Sequence, residues 1–98
     1  MRSIFLVAYD VTKDKNRTKM HTKLKGYGEP LQYSLFRCAL TSSELIRLRS
    51  ELWDLIDHAT DRFLIVDLGP DDGRGARALE SWGKAWEDPA AHDGMLIV

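Results

Sequence analysis

Seven residues near the start of the chain, Ile4-Phe5-Leu6-Val7-Ala8-Tyr9-Asp10, form an apolar run that ends in a carboxylate. A short run rich in branched and aromatic side chains is expected as a strand buried on both faces, at the centre of a sheet. It is too short to span a bilayer, and it follows the first methionine too closely for a secretory signal. Asp10 is where the run meets water. A carboxylate at the carboxyl end of a central strand is held by rigid backbone yet stays reachable from solvent. Two readings stand for it: a loop aspartate that closes the strand, and a functional acid.

The length of 98 residues fits one small domain with a modest core. Its 44% hydrophobic and 30% charged content places it among globular chains rather than disordered or fibrous ones. The single cysteine, Cys38, excludes an internal disulfide framework and suits a reducing compartment, so a cytoplasmic protein is expected. It reads as a small buried hydrophobe. Charge is unevenly spread. Through Gly28 there are seven basic residues against two acidic ones, a net of +5, so the remainder carries −6 to reach the overall −1. Such a chain can bind a polyanion with one face despite a near-neutral isoelectric point.

In order along the chain, a polar loop with Thr12 or Asp14 as N-cap leads into a helix. Met20, Leu24 and Tyr27 share its apolar stripe. Lys15, Lys19 and Lys23 stack along one flank at four-residue spacing, and Arg17 and Lys25 project from the other side. With Lys13 before it, this basic helix is where phosphate contacts are expected. Gly26 suits a left-handed helix stop. Leu31 to Leu40 reads extended, but its alternation changes phase near Leu35-Phe36, so two strands with a break are expected. Thr41-Ser42-Ser43-Glu44 is a capping box opening a second helix, with Leu45, Leu48, Leu52, Leu55 and Ile56 as its core stripe and Trp53 off it. Arg62 to Leu68 is the next strand, closed by the turn signal Gly69-Pro70-Asp71-Asp72-Gly73. A short helix over Ala76 to Trp86 and an apolar strand Met95-Leu96-Ile97-Val98 complete the chain. Trp82 and Trp86 either pack on their own sheet or anchor an interface.

This order predicts an α+β ferredoxin-like βαββαβ sandwich over residues 1–70, followed by a tail over 71–98 with an extra strand. Two helices cover one sheet face only. The other must be hidden, most simply by a second copy.

Tyr9-Asp10, Lys15-Asn16-Arg17, Lys25-Gly26-Tyr27-Gly28, Gln32-Tyr33-Ser34-Leu35-Phe36 and Leu40-Thr41 before Glu44-Leu45 recur in this order in one known family. The chain closely resembles the small CRISPR-associated adaptation nuclease, the Cas-two family, over roughly residues 3–68. The resemblance implies a homodimer whose tail strand often completes the neighbour's sheet. It also implies partnership with the CRISPR integrase, Cas-one, in which the dimer bridges integrase dimers on captured duplex DNA. Some members are Mg²⁺-dependent nucleases acting on RNA or on duplex DNA. Carried over by position, Asp10 is the catalytic and metal-binding aspartate, Tyr9 its neighbour, and Arg17 and Lys19 basic contacts. Lys13, Lys15, Lys23 and Arg37 extend the nucleic-acid surface in this reading, and Tyr9, Trp82, Trp86, Leu96 and Ile97 belong to interfaces.

Two departures from the family pattern stand out. Leu31 occupies the place of a frequent arginine, and Arg37 that of an acid. The first tells against phosphodiester cleavage; the second adds a positive charge for phosphate or for a partner. One carboxylate holds Mg²⁺ poorly, but a two-fold dimer would supply a second Asp10. His21 lies on the basic helix and reads as an exposed helix histidine. Three functions follow: a DNA-bridging subunit, a metal-dependent endonuclease, or a ferredoxin-like module that binds a small molecule.

Overall fold

A computed structural model describes residues 1–87. Seven elements follow in order: β1 (Ser3–Asp10), α1 (Asp14–Lys25), β2 (Glu29–Gln32), β3 (Leu35–Leu40), α2 (Ser42–Leu55), β4 (Arg62–Pro70) and a short α3 (Arg74–Arg77). The strands form one sheet in the order β2-β3-β1-β4, with every neighbouring pair antiparallel. This is the expected ferredoxin-like arrangement. The strand expected over Met95-Leu96-Ile97-Val98 falls outside the described residues.

β1 is central, but it is not buried on both faces. Phe5, Val7 and Tyr9 point to the helices and join the core with Met20, Leu24, Phe36, Leu48 and Leu52. Leu6 and Ala8 point the other way and are only half-buried. The reason is the layer count: α1 and α2 cover one face of the sheet and leave the other uncovered. Ladder partners share a face, so Leu35 on β3 and Leu64 and Val66 on β4 lie beside Leu6 and Ala8. Leu64 and Val66, on the edge strand β4, are 53% and 49% exposed, and with Leu6, Ala8 and Leu35 they form one apolar patch rather than scattered exposed residues. At one end of this open face Ile4 is buried, because α3 folds back against it.

Local chemistry explains the boundaries. Thr41 Oγ1 accepts the Glu44 N–H at 3.2 Å and Glu44 Oε1 accepts the Thr41 N–H at 2.8 Å, so the expected capping box opens α2. α1 starts differently. Its N-cap is Lys13, with no side-chain cap. Thr12 is taken up elsewhere, its N–H donating to Asp61 Oδ1 at 3.0 Å, and Asp14 has entered the first turn, where it pairs with Arg17.

Gly26 is right-handed (φ −75°, ψ −14°), not left-handed as expected. The glycine that the chain needs is Gly28, where a Cβ would lie 2.6 Å from Cys38 Sγ and clash with the Arg37 carbonyl. The extended segment breaks at Tyr33-Ser34, slightly before the phase change, and Pro30 sits in the edge strand β2, where its missing N–H is tolerated. Cys38 is fully buried, and burial pushes its thiol up to about 11. The expected helix over Ala76 to Trp86 does not form; α3 is a single turn, ending before Gly83, which takes φ 91°. Among the described residues no helix is long and apolar enough to cross a membrane.

Candidate nucleic-acid interface

β1 delivers Asp10 to the end of the sheet, where it is exposed and stands in register with Arg62 of β4. Beside it, between β1 and α1, opens a cleft of about 450 Å³. Tyr9, Asp10, Arg17, His21, Tyr33 and Ser34 are among its lining residues. The β1–β3 ladder and the β2–β3 turn bring Ser34 here, its carbonyl accepting the Tyr9 N–H at 3.1 Å. The Tyr9 ring itself faces the core, and its hydroxyl donates to the Tyr33 carbonyl at 3.2 Å. Tyr9 therefore lies on the helix side of the sheet, away from the open face.

Arg17 does two things. It pairs with Asp14, and its Nη1 donates to the carbonyls of Val11 and Thr12 at 3.3 and 3.4 Å. These bonds hold the loop after Asp10 against the start of α1, while half of the side chain stays accessible. His21 is not the fully exposed helix histidine expected. It is half-buried, with its ring edge-on to Phe36 at 5.1 Å. Sequence spacing did not link it to Asp10, because the two meet only once α1 has packed across β1.

The lysines divide. Lys13, Lys15 and Lys19 are exposed at the start and along the flank of α1. Lys23, one turn further, lies 3.6 Å from Glu51 of α2. Arg37 is separate: its register partner Leu6 places it on the open sheet face, and it pairs with Glu29 at 3.4 Å. Asp10 and Arg17 thus line one cleft at the end of the sheet, Lys13, Lys15 and Lys19 lie on the adjoining helix, and Arg37 lies on the sheet face away from that helix. Trp82 is 86% exposed, whereas Trp86 meets Tyr33 edge-on at 5.6 Å.

Between the helices lies a second polar group, in which Arg47 and Glu51 were not singled out in the sequence. Arg2 pairs with Glu44 and donates to the Ala39 carbonyl at 3.0 Å. Tyr27 Oη donates to Glu51 Oε2 at 2.8 Å, and burial, followed by that hydrogen bond, raises the phenol above its ordinary range. Arg47 lines the same groove. The signal for it was the polar stripe Glu44, Arg47 and Glu51, at helical spacing beside the leucines.

The family model described as CRISPR associated protein Cas2 matches residues 2–74. The chain belongs to the Cas2 family. A CRISPR-associated endoribonuclease Cas2 of Rhodospirillum rubrum is 41% identical over 83 residues, covering 85% of this chain and 80% of the relative. The crystal structure of Streptococcus pyogenes Cas2 at pH 6.5 superposes with a TM-score of 0.70 and 28% identity, covering 82% of this chain and 99% of that one. A chain of a partial Cas6-RT-Cas1–Cas2 complex gives a TM-score of 0.57 at 25% identity, covering 81% of this chain and all of that one. Among the described residues, no cluster of three or more His, Cys, Asp or Glu side chains gathers as a metal site. Asp10 alone suits one position on Mg²⁺, which takes one or two carboxylates and completes its shell with water and phosphate.

Proposed function

We propose that this Cas2-family chain works as a homodimeric, duplex-DNA-binding subunit of the CRISPR adaptation machinery, in the cytoplasm, bridging Cas1 integrase dimers. One observation carries the reading. The helices cover one face of the sheet, and the other face exposes Leu6, Ala8, Leu35, Leu64 and Val66 in register. A second copy laid on that face would bury it and place two Asp10 carboxylates and two basic α1 helices in one particle. Lys13, Lys15, Lys19 and Arg17 then contact phosphates without reading sequence, and counterion release makes the binding salt-sensitive. The relationship to a chain of a Cas1–Cas2 complex supports the integrase as partner. The core over 1–70 carries these roles, and the tail over 71–98, with Trp82, Trp86, Leu96 and Ile97, serves docking.

A second reading is favoured by the cleft beside Asp10 and by relatives named endoribonucleases. In it, the Asp10 residues of the two copies hold Mg²⁺, which when bound supplies Lewis-acid stabilisation and an activated water. Arg17 orients the scissile phosphate, and Ser34 and Tyr33 line the path of the strand. Labelled duplex DNA and RNA, mixed with wild type or Asp10→Ala with and without Mg²⁺, separate the two readings. Binding by both proteins with cleavage by neither supports the bridging subunit. Metal-dependent cleavage by wild type alone supports the nuclease, and absence of duplex binding refutes the first reading.

A further inference from the structure

A groove of about 720 Å³ runs between α1 and α2, on the helical side of the sheet. Its size falls in the range of sites that enclose small organic ligands, roughly 300–1,000 Å³. Tyr27, Leu40 and Leu55 give it apolar lining, and four cations border it: Arg2, Lys19, Lys23 and Arg47. Two carboxylates share it, Glu44 and Glu51, and both are engaged. Glu44 pairs with Arg2 and accepts the Thr41 N–H; Glu51 accepts the Tyr27 hydroxyl and lies 3.6 Å from Lys23 Nζ. With four cations against two carboxylates, the groove keeps a surplus of two positive charges, on Lys19 from α1 and Arg47 from α2. Arg47 also stands beside the Tyr27 hydroxyl, so charge and aromatic ring adjoin.

We propose that this groove binds a nucleoside phosphate, with the base against Tyr27 and Leu55 and the phosphate between Lys19 and Arg47. The guanidinium offers a planar fork to phosphate oxygens and the ammonium a point charge. The same chemistry is presented by a free nucleotide and by the terminal nucleotide of a single strand. Lys19 is shared with the duplex contacts proposed above, but Arg47 and Tyr27 have no part in them, so variants at those two positions separate the two ideas.

Titration calorimetry of the full chain with adenosine 5′-monophosphate, and with inorganic phosphate, tests the site. AMP should bind once per chain and more tightly than phosphate. Arg47→Ala and Lys19→Ala should each weaken AMP about tenfold, the loss expected for one charge-assisted hydrogen bond. Tyr27→Leu should weaken AMP while sparing phosphate. Arg49→Ala makes the same charge change on an exposed part of α2 outside the groove, and should leave AMP affinity unaltered. Thermal melting of each variant confirms that it is folded. A 5′-phosphorylated single strand that binds more tightly than both AMP and its 5′-hydroxyl counterpart assigns the strand terminus; equal affinity for the strand and AMP assigns the free nucleotide. Absence of AMP binding at millimolar concentration by protein that still binds duplex DNA overturns the proposal. So does an equal loss in Arg49→Ala and Arg47→Ala.

Discussion

Asp10 and Arg62 face each other across the last rung of the β1–β4 ladder, one at the end of its strand and the other at the beginning. Asp10 is exposed, and among the described residues no hydrogen bond that closes the strand depends on it in the way the loops depend on Asp61, which accepts the N–H groups of Thr12 and Asp57. Asp10→Ala should therefore change folding stability by no more than about 0.5 kcal/mol, the usual range for an exposed substitution. Urea unfolding checks this. A loss of several times that value would make Asp10 a structural strand closer instead.

The open sheet face predicts the assembly. Leu64 and Val66 are about half exposed in the single chain, so a charge at either position costs its fold little. If the wild type dimerises through this face as proposed, Leu64→Asp or Val66→Lys should hold the chain monomeric in sedimentation velocity at the same concentrations, because burying an unpaired charge is unfavourable. A dimer unaffected by both substitutions would place its interface elsewhere.

The core should report its packing. Leu48 is fully buried, whereas Ile46, two residues earlier on the same helix, is 64% exposed. Leu48→Ala should cost about 2–5 kcal/mol in urea or thermal unfolding and Ile46→Ala far less. Gly28→Ala should also destabilise severely, since its methyl group would enter the space of Cys38 and of the Arg37 carbonyl.

Acid stability should depend on Glu44. The Thr41 backbone N–H, then the Arg2 guanidinium, hold its carboxyl below the usual carboxylate range. A folded-state pKa below the unfolded one means stability that is present above the unfolded value and lost as pH falls through the folded one. Glu44→Gln should thus flatten the fall in melting temperature on the acid side of about pH 4.5 while lowering stability near neutrality. An unchanged acid limb would show that Glu44 gains nothing from its partners. Thr41→Ala removes the other half of the capping box and should cost about 1 kcal/mol.

Much of the fold was legible because periodicity reports burial on one side of an element. Leu45, Leu48 and Leu52 marked the inner face of α2, and Thr41 with Glu44 marked its start, since a capping box is a local arrangement that needs no tertiary partner. Reading β1 as buried on both faces failed for a physical reason. Leu6 and Ala8 are as apolar as Phe5 and Val7, and composition alone does not say that a covering layer is present on one side only. The ends of α1 were misread because tertiary bonds competed with local rules: Asp61 captured Thr12, and the close approach of β3 put the required glycine at position 28 rather than 26.

The site was legible where it lies on one element and hidden where it spans several. Asp10 and the lysines of α1 could be picked out in the chain, because a strand end and a helix flank are local features. His21 joined the cleft of Asp10, and Arg47 the groove of Lys19, only through packing between elements. Arg37 shows the converse. Its charge suggested the lysine surface, yet strand alternation turns it to the other side of the sheet.

The salt dependence of duplex-DNA affinity is the measurement to make first. Kd for a labelled, non-specific duplex would be followed from 50 to 200 mM salt, for wild type and for a Lys15→Ala/Lys19→Ala double variant. Log affinity should fall linearly with log salt at a slope of about −0.9 per phosphate neutralised, and the double variant should show weaker binding with a shallower slope. An affinity indifferent to salt, or a double variant with the wild-type slope, would contradict phosphate recognition by α1.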